Sequence, residues 1–267
     1  MKKDFSNKLS EHYLKQKRKG KTSHKAENQF PIHKFKAHKF NALCHLTLQN
    51  NLNVSEERNS NHLPLDLLIL LILNQSTTDT LSDRAFQQLK KDYPDNKQVN
   101  YEKILRENNP AKLVKSIQIC GLASTKAKYI LNALLYLAER GWLDLEMRFV
   151  NQMSDDEALK AITAIKGVAI KSASCLLMFG FGRNTFPIDT HLFRIFKKVG
   201  GILPLKTDSD RAHKLIQPLV EGIDAFTIHV GLIELGRKVC NSRKPLCNQC
   251  YLNKICDYAL EKVEEIC

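Results

Sequence analysis

Four cysteines near the carboxyl end of the chain have the spacing of metal ligands. They follow the pattern C-x6-C-x2-C-x5-C and are Cys240, Cys247, Cys250 and Cys256. Four thiolates in so short a segment can enclose either a [4Fe-4S] cluster or a tetrahedral zinc ion. Zinc ribbons usually offer two matched C-x-x-C pairs, whereas this segment has one such pair with wide, unequal flanks, which favours the iron-sulfur cluster. The alternative is four unrelated buried thiols.

Positive charge lies beside these cysteines and is concentrated near the amino terminus. Arg243 and Lys244 lie between the first two cysteines, where they can contact phosphate groups or offset the negative charge of a metal cluster. The chain has 41 Lys and Arg against 28 Asp and Glu, a net charge of +13, which indicates a polyanionic partner such as nucleic acid. Much of this excess lies in residues 1–40, which are expected to form a basic, disordered arm.

Residues 162–180 have the pattern of two helices joined by a tight turn. The turn consists of Lys166, Gly167, Val168 and Ala169. Gly167 allows the backbone to approach a partner closely, and the free amides at the start of the second helix can bind a phosphate. The alternative is a pair of helices that only pack together, since short glycine turns are common between helices.

Lys171 and Asp189 are the candidate catalytic residues. Lys171 lies in the first turn of the second predicted helix, where the helix dipole and any desolvation favour a neutral, nucleophilic amine. Asp189 lies just before an apolar helix at residues 192–199. The structural alternatives are a solvated lysine and a plain N-cap aspartate.

Helix signals dominate the chain from Leu43 onward, and strand signals are scarce. Helix starts are predicted at Asp79, Asn109 and Ser124, and a capping box is predicted at Ser154. Glycines fall where these helices should stop, so about ten short helices in an all-α body are expected.

The composition places the chain among soluble intracellular proteins. The longest apolar run, residues 67–73, is too short for the roughly 20 residues of a membrane span. The basic amino terminus lacks an apolar signal segment, so we expect the protein to stay inside the cell. In that reducing setting the eight cysteines are expected to be metal ligands or plain thiols.

From about residue 65 to residue 255 the chain resembles the endonuclease III family of helix-hairpin-helix DNA glycosylases. The resemblance rests on the turn before Lys171, the Pro-Ile-Asp-Thr-His stretch around Asp189, the Gly-Arg pair before Cys240, and the four-cysteine segment, in this order. It implies that Lys171 attacks C1′ of a damaged nucleotide and that Asp189 assists it. It also implies that the four cysteines bind a [4Fe-4S] cluster.

Two more residues match elements of that family. Gln75 resembles the glutamine that fills the space left by a flipped base, and Leu122 resembles the residue that wedges into the base stack. An extruded base leaves a hole that must be filled, or the duplex closes again. Together with the turn and with the cations at 243 and 244, they form the predicted DNA-binding set. The alternatives are ordinary loop polarity for Gln75 and core packing for Leu122.

The resemblance implies an all-α, two-lobed helix-hairpin-helix DNA glycosylase fold. Residues 62–183 would form a helical barrel domain, and residues 41–61 with 184–267 an iron-sulfur cluster domain. The implied function is base-excision DNA repair, with removal of oxidised pyrimidines from duplex DNA and AP lyase nicking of the strand by β-elimination. Duplex DNA with damaged bases or abasic sites is the expected partner. A monomer in the cytoplasm and nucleoid, or in the nucleus of a eukaryote, is expected.

The sequence departs from the family pattern in two places. Family turns commonly read Leu-Pro-Gly-Val-Gly, whereas Lys166 replaces the proline and Ala169 the second glycine here. Alanine is unfavourable if the turn needs a positive φ, and Lys166 offers a phosphate contact in exchange. The segment between Gln75 and Asp79 is one residue longer than in the best-known members, which leaves the preferred lesion open.

Three other functions stay open at this point, one of which is a colourless, zinc-dependent nucleic-acid module. A monofunctional mismatch or uracil glycosylase would remove bases without nicking the strand. A non-catalytic iron-sulfur DNA-binding protein would keep the fold and tolerate the loss of Lys171. Excision of adenine is disfavoured, because adenine-excising relatives lack this lysine and have an acidic residue shortly before the glutamine, and residues 67–73 contain no acid.

Overall fold

The computed structural model describes residues 32–51, 60–204 and 207–264. The chain divides into two compact units. The hairpin unit is Glu57–Pro187, and the cysteine unit combines Met1–Glu56 with Ile188–Cys267. The described residues are mostly helical, and their strands are limited to the antiparallel pair β1 (Pro94–Asp95) and β2 (Gln98–Val99), which confirms the all-α prediction.

The described residues form twelve α-helices, two more than expected. In chain order they are α1 (Ile32–Asn50), α2 (Pro64–Leu73), α3 (Asp79–Asp92), α4 (Tyr101–Glu107), α5 (Pro110–Ile117), α6 (Ala123–Glu139), α7 (Asp155–Thr163), α8 (Ile170–Phe181), α9 (Thr190–Val199), α10 (Ser209–Ile216), α11 (Ala225–Lys238) and α12 (Asp257–Glu264). Four short 3-10 helices occur at Gln118–Cys120, Arg148–Gln152, Gln217–Leu219 and Cys247–Gln249. No helix in these ranges is long and apolar enough to cross a membrane.

Two predicted helix starts are confirmed by their side-chain caps. Asn109 Oδ1 accepts the backbone N–H of Lys112 at the start of α5, and Pro110 is the first helical residue. Ser154 and Glu157 cap each other's backbone at the start of α7. Each cap satisfies an amide that the helix itself leaves unpaired.

Helix α3 begins at Asp79 as predicted, but its N-cap and the start of α6 each differ from the prediction by one residue. Thr78 rather than Asp79 is the N-cap of α3, because the Thr78 hydroxyl accepts the N–H of Leu81. Helix α6 begins at Ala123 rather than Ser124, and its N-cap is Leu122 in a left-handed conformation without a side-chain hydrogen bond. A capping rule based on polar residues does not anticipate a leucine in this position.

The core of the hairpin unit is built around α2. This helix packs against α3, α6 and α8, and most of its residues are fully buried. Its apolar sequence therefore reflects contact with neighbours on several sides.

A buried hydrogen bond ties α2 to α4 in the same unit. The Tyr101 hydroxyl donates to Asp66 Oδ1 at 2.5 Å, and both side chains are buried. Burial, followed by the negative charge of Asp66, raises the pKa of Tyr101 well above its ordinary value, so the hydroxyl stays a donor. Asp66 also lies in the first turn of α2, where the helix dipole favours a carboxylate.

In the cysteine unit, α11 packs against α1 and α9, and α9 packs against α12. Helix α11 approaches α1 closely, because a Cβ on Gly231 would come within 3.0 Å of the Thr47 side chain. A buried lysine joins α1 to α12: Lys39 Nζ lies 3.0 Å from Asp257 Oδ1.

The predicted basic arm extends too far into the folded chain. Helix α1 begins at Ile32, inside the range 1–40, and the side chains of Lys39 and Phe40 are buried. The ring of Phe40 packs edge-on against Phe196 of α9, which ties this part of the range to the core. Residues 1–31 lie outside the described residues.

Some residues assigned to the cluster domain belong to the hairpin unit instead. Residues 60–61 and 184–187 are the described ones. The Ser60 N–H donates to Phe179 O, and the Thr185 hydroxyl donates to Ser174 O. Both bonds join these segments to α8.

We expect Tyr101→Phe to lower the free energy of unfolding by roughly 1–3 kcal/mol, because Asp66 would keep its buried carboxylate and lose its donor. Chemical denaturation followed by circular dichroism measures the loss. Tyr136→Phe is the matched control, since Tyr136 is only partly buried and its ring contact with Trp142 survives the change. Equal losses in the two variants would contradict a stabilising role for the Asp66 bond.

Candidate active site and cysteine segment

The turn between α7 and α8 is shaped by a glycine that no other residue can replace without strain. Gly167 has a φ of +101°, a conformation that side chains disfavour. A Cβ at this position would also overlap the ring of Tyr129 on α6. Val168 is buried beside it, whereas Lys166 and Ala169 are exposed. The turn is therefore packed on one side and open on the other.

Alanine in place of the family's second glycine causes no strain. Ala169 is the N-cap of α8 with φ of −84°, so the concern about a positive φ at this position is wrong. No side chain caps α8 in the described structure, which leaves its first backbone amides for an anion.

Gln75 is joined to this turn by a hydrogen bond across 92 positions of sequence. Its side-chain Nε2 donates to the carbonyl of Gly167 at 2.9 Å. The next residue, Ser76, has a φ of +54°, which marks a tightly curved loop between α2 and α3. Asn74 and Asp79 close this loop through a 2.9 Å side-chain hydrogen bond. The structure thus brings Gln75 and the turn residues together.

Leu122 lies on the surface of the hairpin unit. Its side chain is 61% exposed, so the alternative of core packing is wrong. It has a φ of +50° and follows Gly121, whose φ is +69°. A leucine that is both exposed and left-handed gains nothing for the fold from its side chain, and such strain tends to occur at functional sites.

Lys171 is the second residue of α8 and is half-buried. It belongs to the hairpin unit, four residues after Gly167, so the turn places it in the first turn of the second helix as predicted.

Asp189 is the N-cap of α9 in the cysteine unit. Its Oδ1 accepts the N–H of Leu192 at 2.9 Å, which confirms the N-cap role and fixes the carboxylate at the positive end of a helix. The preceding residue is held as well, because the N–H of Ile188 donates to His213 Nε2 at 2.8 Å. The other ring nitrogen of His213 lies 2.8 Å from Ser209 O, so a neutral ring with its proton on Nδ1 satisfies both contacts.

The cysteine segment is fastened to α9 by two cations. Arg194 donates through Nε to Cys240 O at 2.9 Å and through a terminal nitrogen to Gly236 O at 2.8 Å. Lys198 donates to Asn241 O at 3.1 Å. Helix α11 comes close at this point, since a Cβ on Gly236 would lie 2.8 Å from the His191 side chain. Arg243 and Lys244 are exposed on the same segment.

Burial raises the pKa of three of the four thiols. Burial raises the pKa of Cys250 to about 11, and the neighbouring thiols at 240, 256 and 247 add to the rise. Burial also raises the pKa of Cys240, an effect that Lys198 and Arg194 oppose. It raises the pKa of Cys256 in the same way. Metal binding at these sulfurs must therefore displace protons, which makes it weaker as the pH falls.

The donor set fits an iron-sulfur cluster or zinc, because all four candidates are soft sulfur ligands. All four cysteines are free thiols. Within residues 32–51, 60–204 and 207–264, no three His, Cys, Asp or Glu side chains form a ready metal site. The fit thus rests on the chemistry of the four thiols.

Sequence reasoning missed two residues near the predicted site. His213 supports the residue before Asp189, and Lys126, a fully buried lysine on α6, supports the segments before Gln75 and Leu122. Neither has a local signal, because a histidine or lysine on an amphipathic helix has the pattern of a solvated face.

Comparisons with known proteins identify the family of the chain. A family model described as HhH-GPD superfamily base excision DNA repair protein matches residues 69–219. Endonuclease III of Sulfolobus acidocaldarius is 30% identical over 199 residues, which are 74% of this chain and 83% of that protein. Endonuclease III of Escherichia coli K12 is 29% identical over 216 residues, 81% of this chain and 93% of that protein. A solved structure of a trapped endonuclease III–DNA covalent intermediate has a TM-score of 0.68 at 20% identity, covers 85% of this chain and 98% of its own, and has the same fold.

The chain therefore belongs to the helix-hairpin-helix superfamily of base excision DNA repair proteins and, within it, to the endonuclease III family. It is a base excision repair enzyme of the DNA glycosylase and AP lyase class.

We expect Gly167→Ala to destabilise the protein by roughly 1–3 kcal/mol, because the new Cβ meets a strained φ and the Tyr129 ring. Thermal and chemical unfolding measure the change. Ala169→Gly, two residues on at an ordinary φ, is the matched control and should cost less than about 1 kcal/mol. A Gly167→Ala protein as stable as the control would show that the turn tolerates a side chain.

Proposed function

We propose that this enzyme removes oxidised pyrimidines from duplex DNA and nicks the resulting abasic strand with Lys171 as the nucleophile. The observation that carries the proposal is the hairpin unit's grouping of Gln75, the Gly167 turn and Lys171, in which the Gln75 amide donates to the turn and Lys171 begins the following helix. A duplex bound by a single copy of the chain is the proposed partner.

Lys171 supplies the covalent chemistry in this proposal. Its neutral amine attacks C1′ of the damaged nucleotide, and the base leaves with the electron pair of the glycosidic bond and takes up a proton. Opening of the sugar ring gives a protonated Schiff base between Lys171 and C1′. Loss of a proton from C2′ then expels the 3′ phosphate, which breaks the C3′–O bond and nicks the strand.

Asp189 assists this reaction as a carboxylate. Its Oδ1 is fixed by the Leu192 amide, and its second oxygen is not used by that bond. Such a group can accept a proton from the attacking amine and stabilise positive charge that develops on the sugar. The hydrogen bond from Ile188 to His213 supports this role, because it restrains the backbone next to Asp189.

Gln75 and Leu122 keep the target base out of the duplex. Leu122 presents an exposed apolar side chain that suits insertion into the base stack. Gln75 has a polar amide able to pair with an orphaned base, and its bond to Gly167 sets its distance from the turn. The two residues act at different points of the disrupted stack.

Backbone amides and surface cations hold the DNA strand. The uncapped start of α8 offers amides to a phosphate, and Lys166 adds a positive charge at the exposed side of the same turn. Arg243 and Lys244 on the cysteine segment offer a second phosphate contact.

We also propose that Cys240, Cys247, Cys250 and Cys256 bind a [4Fe-4S] cluster. When bound, the cluster supplies a covalent closure of the segment between α11 and α12. Arg194 and Lys198 lie close enough to Cys240 to oppose the rise in its pKa, so they favour its thiolate form and offset the negative charge of the bound group.

Borohydride trapping on a duplex with an abasic site tests the nucleophile. We expect wild type to form a covalent adduct, Lys171→Gln to form none, and Asp189→Asn to react roughly 10²–10⁴-fold more slowly. Lys166→Gln is the matched control on the exposed turn and should retain the adduct, with DNA binding that is weakened most at low salt.

No adduct from a folded wild type would refute the lyase proposal and leave a monofunctional glycosylase, for which uracil and thymine mismatches are the substrates to assay. Persistence of the adduct in Lys171→Gln would assign the nucleophile to another amine.

Metal analysis of the purified protein tests the cluster. We expect a brown protein with about four iron atoms per chain, and loss of the iron in Cys247→Ser. Cys120→Ser is the matched control, because Cys120 is a buried thiol of the hairpin unit outside the ligand set. A colourless protein with one zinc, or iron retained in Cys247→Ser, would contradict the assignment.

A further inference from the structure

Lys126 is a buried cation that the proposed reaction does not use. It lies in the first turn of α6, and its side chain is only 1% exposed. An ammonium group in such a position costs free energy unless its N–H groups are bonded. Its partners are two backbone carbonyls of the same hairpin unit.

The two carbonyls belong to the segments that carry Gln75 and Leu122. Lys126 Nζ donates to Leu73 O at 2.8 Å and to Cys120 O at 2.7 Å. Leu73 is the last residue of α2, and Cys120 is the last residue of the 3-10 helix that precedes α6. Each carbonyl therefore lies two residues before a predicted base-flipping side chain.

Both carbonyls are at helix ends, where a cation is favoured. The last carbonyls of a helix have no partner within the helix and lie at the negative end of its dipole. A charge-assisted bond from a desolvated ammonium is stronger than a neutral one, and losing either bond would leave the buried charge poorly satisfied. Lys126 thus holds the two helix ends at a fixed separation.

The segments that follow these carbonyls are strained. Ser76, next to Gln75, has a φ of +54°, and Leu122 has a φ of +50°. Non-glycine residues stay in this region only when the surrounding structure holds them there. The two bonds of Lys126 precede each strained residue by two or three positions, so they are placed to supply that restraint.

We propose that Lys126 is a positioning residue that sets the distance between the Gln75 and Leu122 segments, so that glutamine and leucine enter the disrupted base stack together. This inference rests on the proposed function. Loss of Lys126 should affect the steps that need an extruded base, because Gln75 and Leu122 act in those steps. The effect can be large, since a misplacement of about 1 Å in a preorganised group can lower a rate substantially.

The test compares base excision with nicking of a preformed abasic site, both under single-turnover conditions. On a thymine glycol duplex we expect Lys126→Met to excise the base at least roughly tenfold more slowly than wild type. On an abasic duplex, which has no base to extrude, the nicking rate should fall much less. Ile130→Val is the matched control. Ile130 is buried on α6 one turn after Lys126, and its side chain has no donor that could bond to the Leu73 or Cys120 carbonyl.

A double-mutant cycle separates positioning from general destabilisation. If Lys126 acts through Leu122, combining Lys126→Met with Leu122→Ala should slow excision by less than the product of the two single effects. If Lys126→Met only loosens the core, its effect on the excision rate should combine with that of Leu122→Ala as the full product of the two. Fluorescence of 2-aminopurine placed opposite an abasic analogue gives a second readout that needs no base excision, and Lys126→Met should reduce the rise seen with wild type.

The outcomes distinguish this inference from the proposed function. A wild type that forms no adduct with an abasic duplex refutes the proposed function. If wild type forms the adduct and Lys126→Met slows excision and nicking by the same factor, the inference is overturned and the proposed function stands. The same holds if Lys126→Met slows excision no more than Ile130→Val does. Where wild type does not excise thymine glycol, an unchanged 2-aminopurine signal overturns it. Lys126→Gln, which retains one donor group, replaces the methionine variant if that variant does not fold and should show the same selectivity.

Discussion

The backbone of Gly167 lies against the ring of Tyr129, and the rest of the hairpin unit's candidate site depends on that contact. Because residue 167 has no side chain, the turn can sit on α6 and present its carbonyl to Gln75. The same turn directs the chain into α8, whose second residue is Lys171. The absence of a Cβ at residue 167 therefore lets one turn position both the Lys171 amine and the Gln75 side chain.

The cysteine unit has a comparable organising element in α9. Asp189 caps its amino end, while Arg194 and Lys198 further along it hold the backbone of the cysteine segment. The cysteine segment is thus hydrogen-bonded to α9, the helix that Asp189 caps, independently of any metal that it binds. A change at the cysteines would reach Asp189 through one rigid helix rather than through a chain of loops.

Local chemistry was enough to predict much of this arrangement from the sequence. The hairpin, the capping box at Ser154 and the N-cap at Asp189 each depend on residues within four positions of one another. What could not be predicted depends on distant contacts. Gln75 meets Gly167 across 92 positions and Lys126 meets Leu73 across 53, and in both cases the partner is a backbone atom that leaves no mark on the sequence. The N-cap position of Leu122 could not be predicted for a related reason. Its side chain makes no capping hydrogen bond, so its left-handed conformation depends on the surrounding structure.

The cysteine unit is assembled from two stretches that flank the hairpin unit in sequence. During synthesis, every residue of the hairpin unit precedes Ile188, so that unit can complete its core first. Helix α1 is made early, yet its partner α11 follows only after the whole hairpin unit. The buried face of α1, with Phe40 and Leu43, must wait without its partner for that time. The order of synthesis therefore leaves the apolar face of α1 uncovered until α11 is made, and the cysteine unit can close only after the whole hairpin unit has been synthesised.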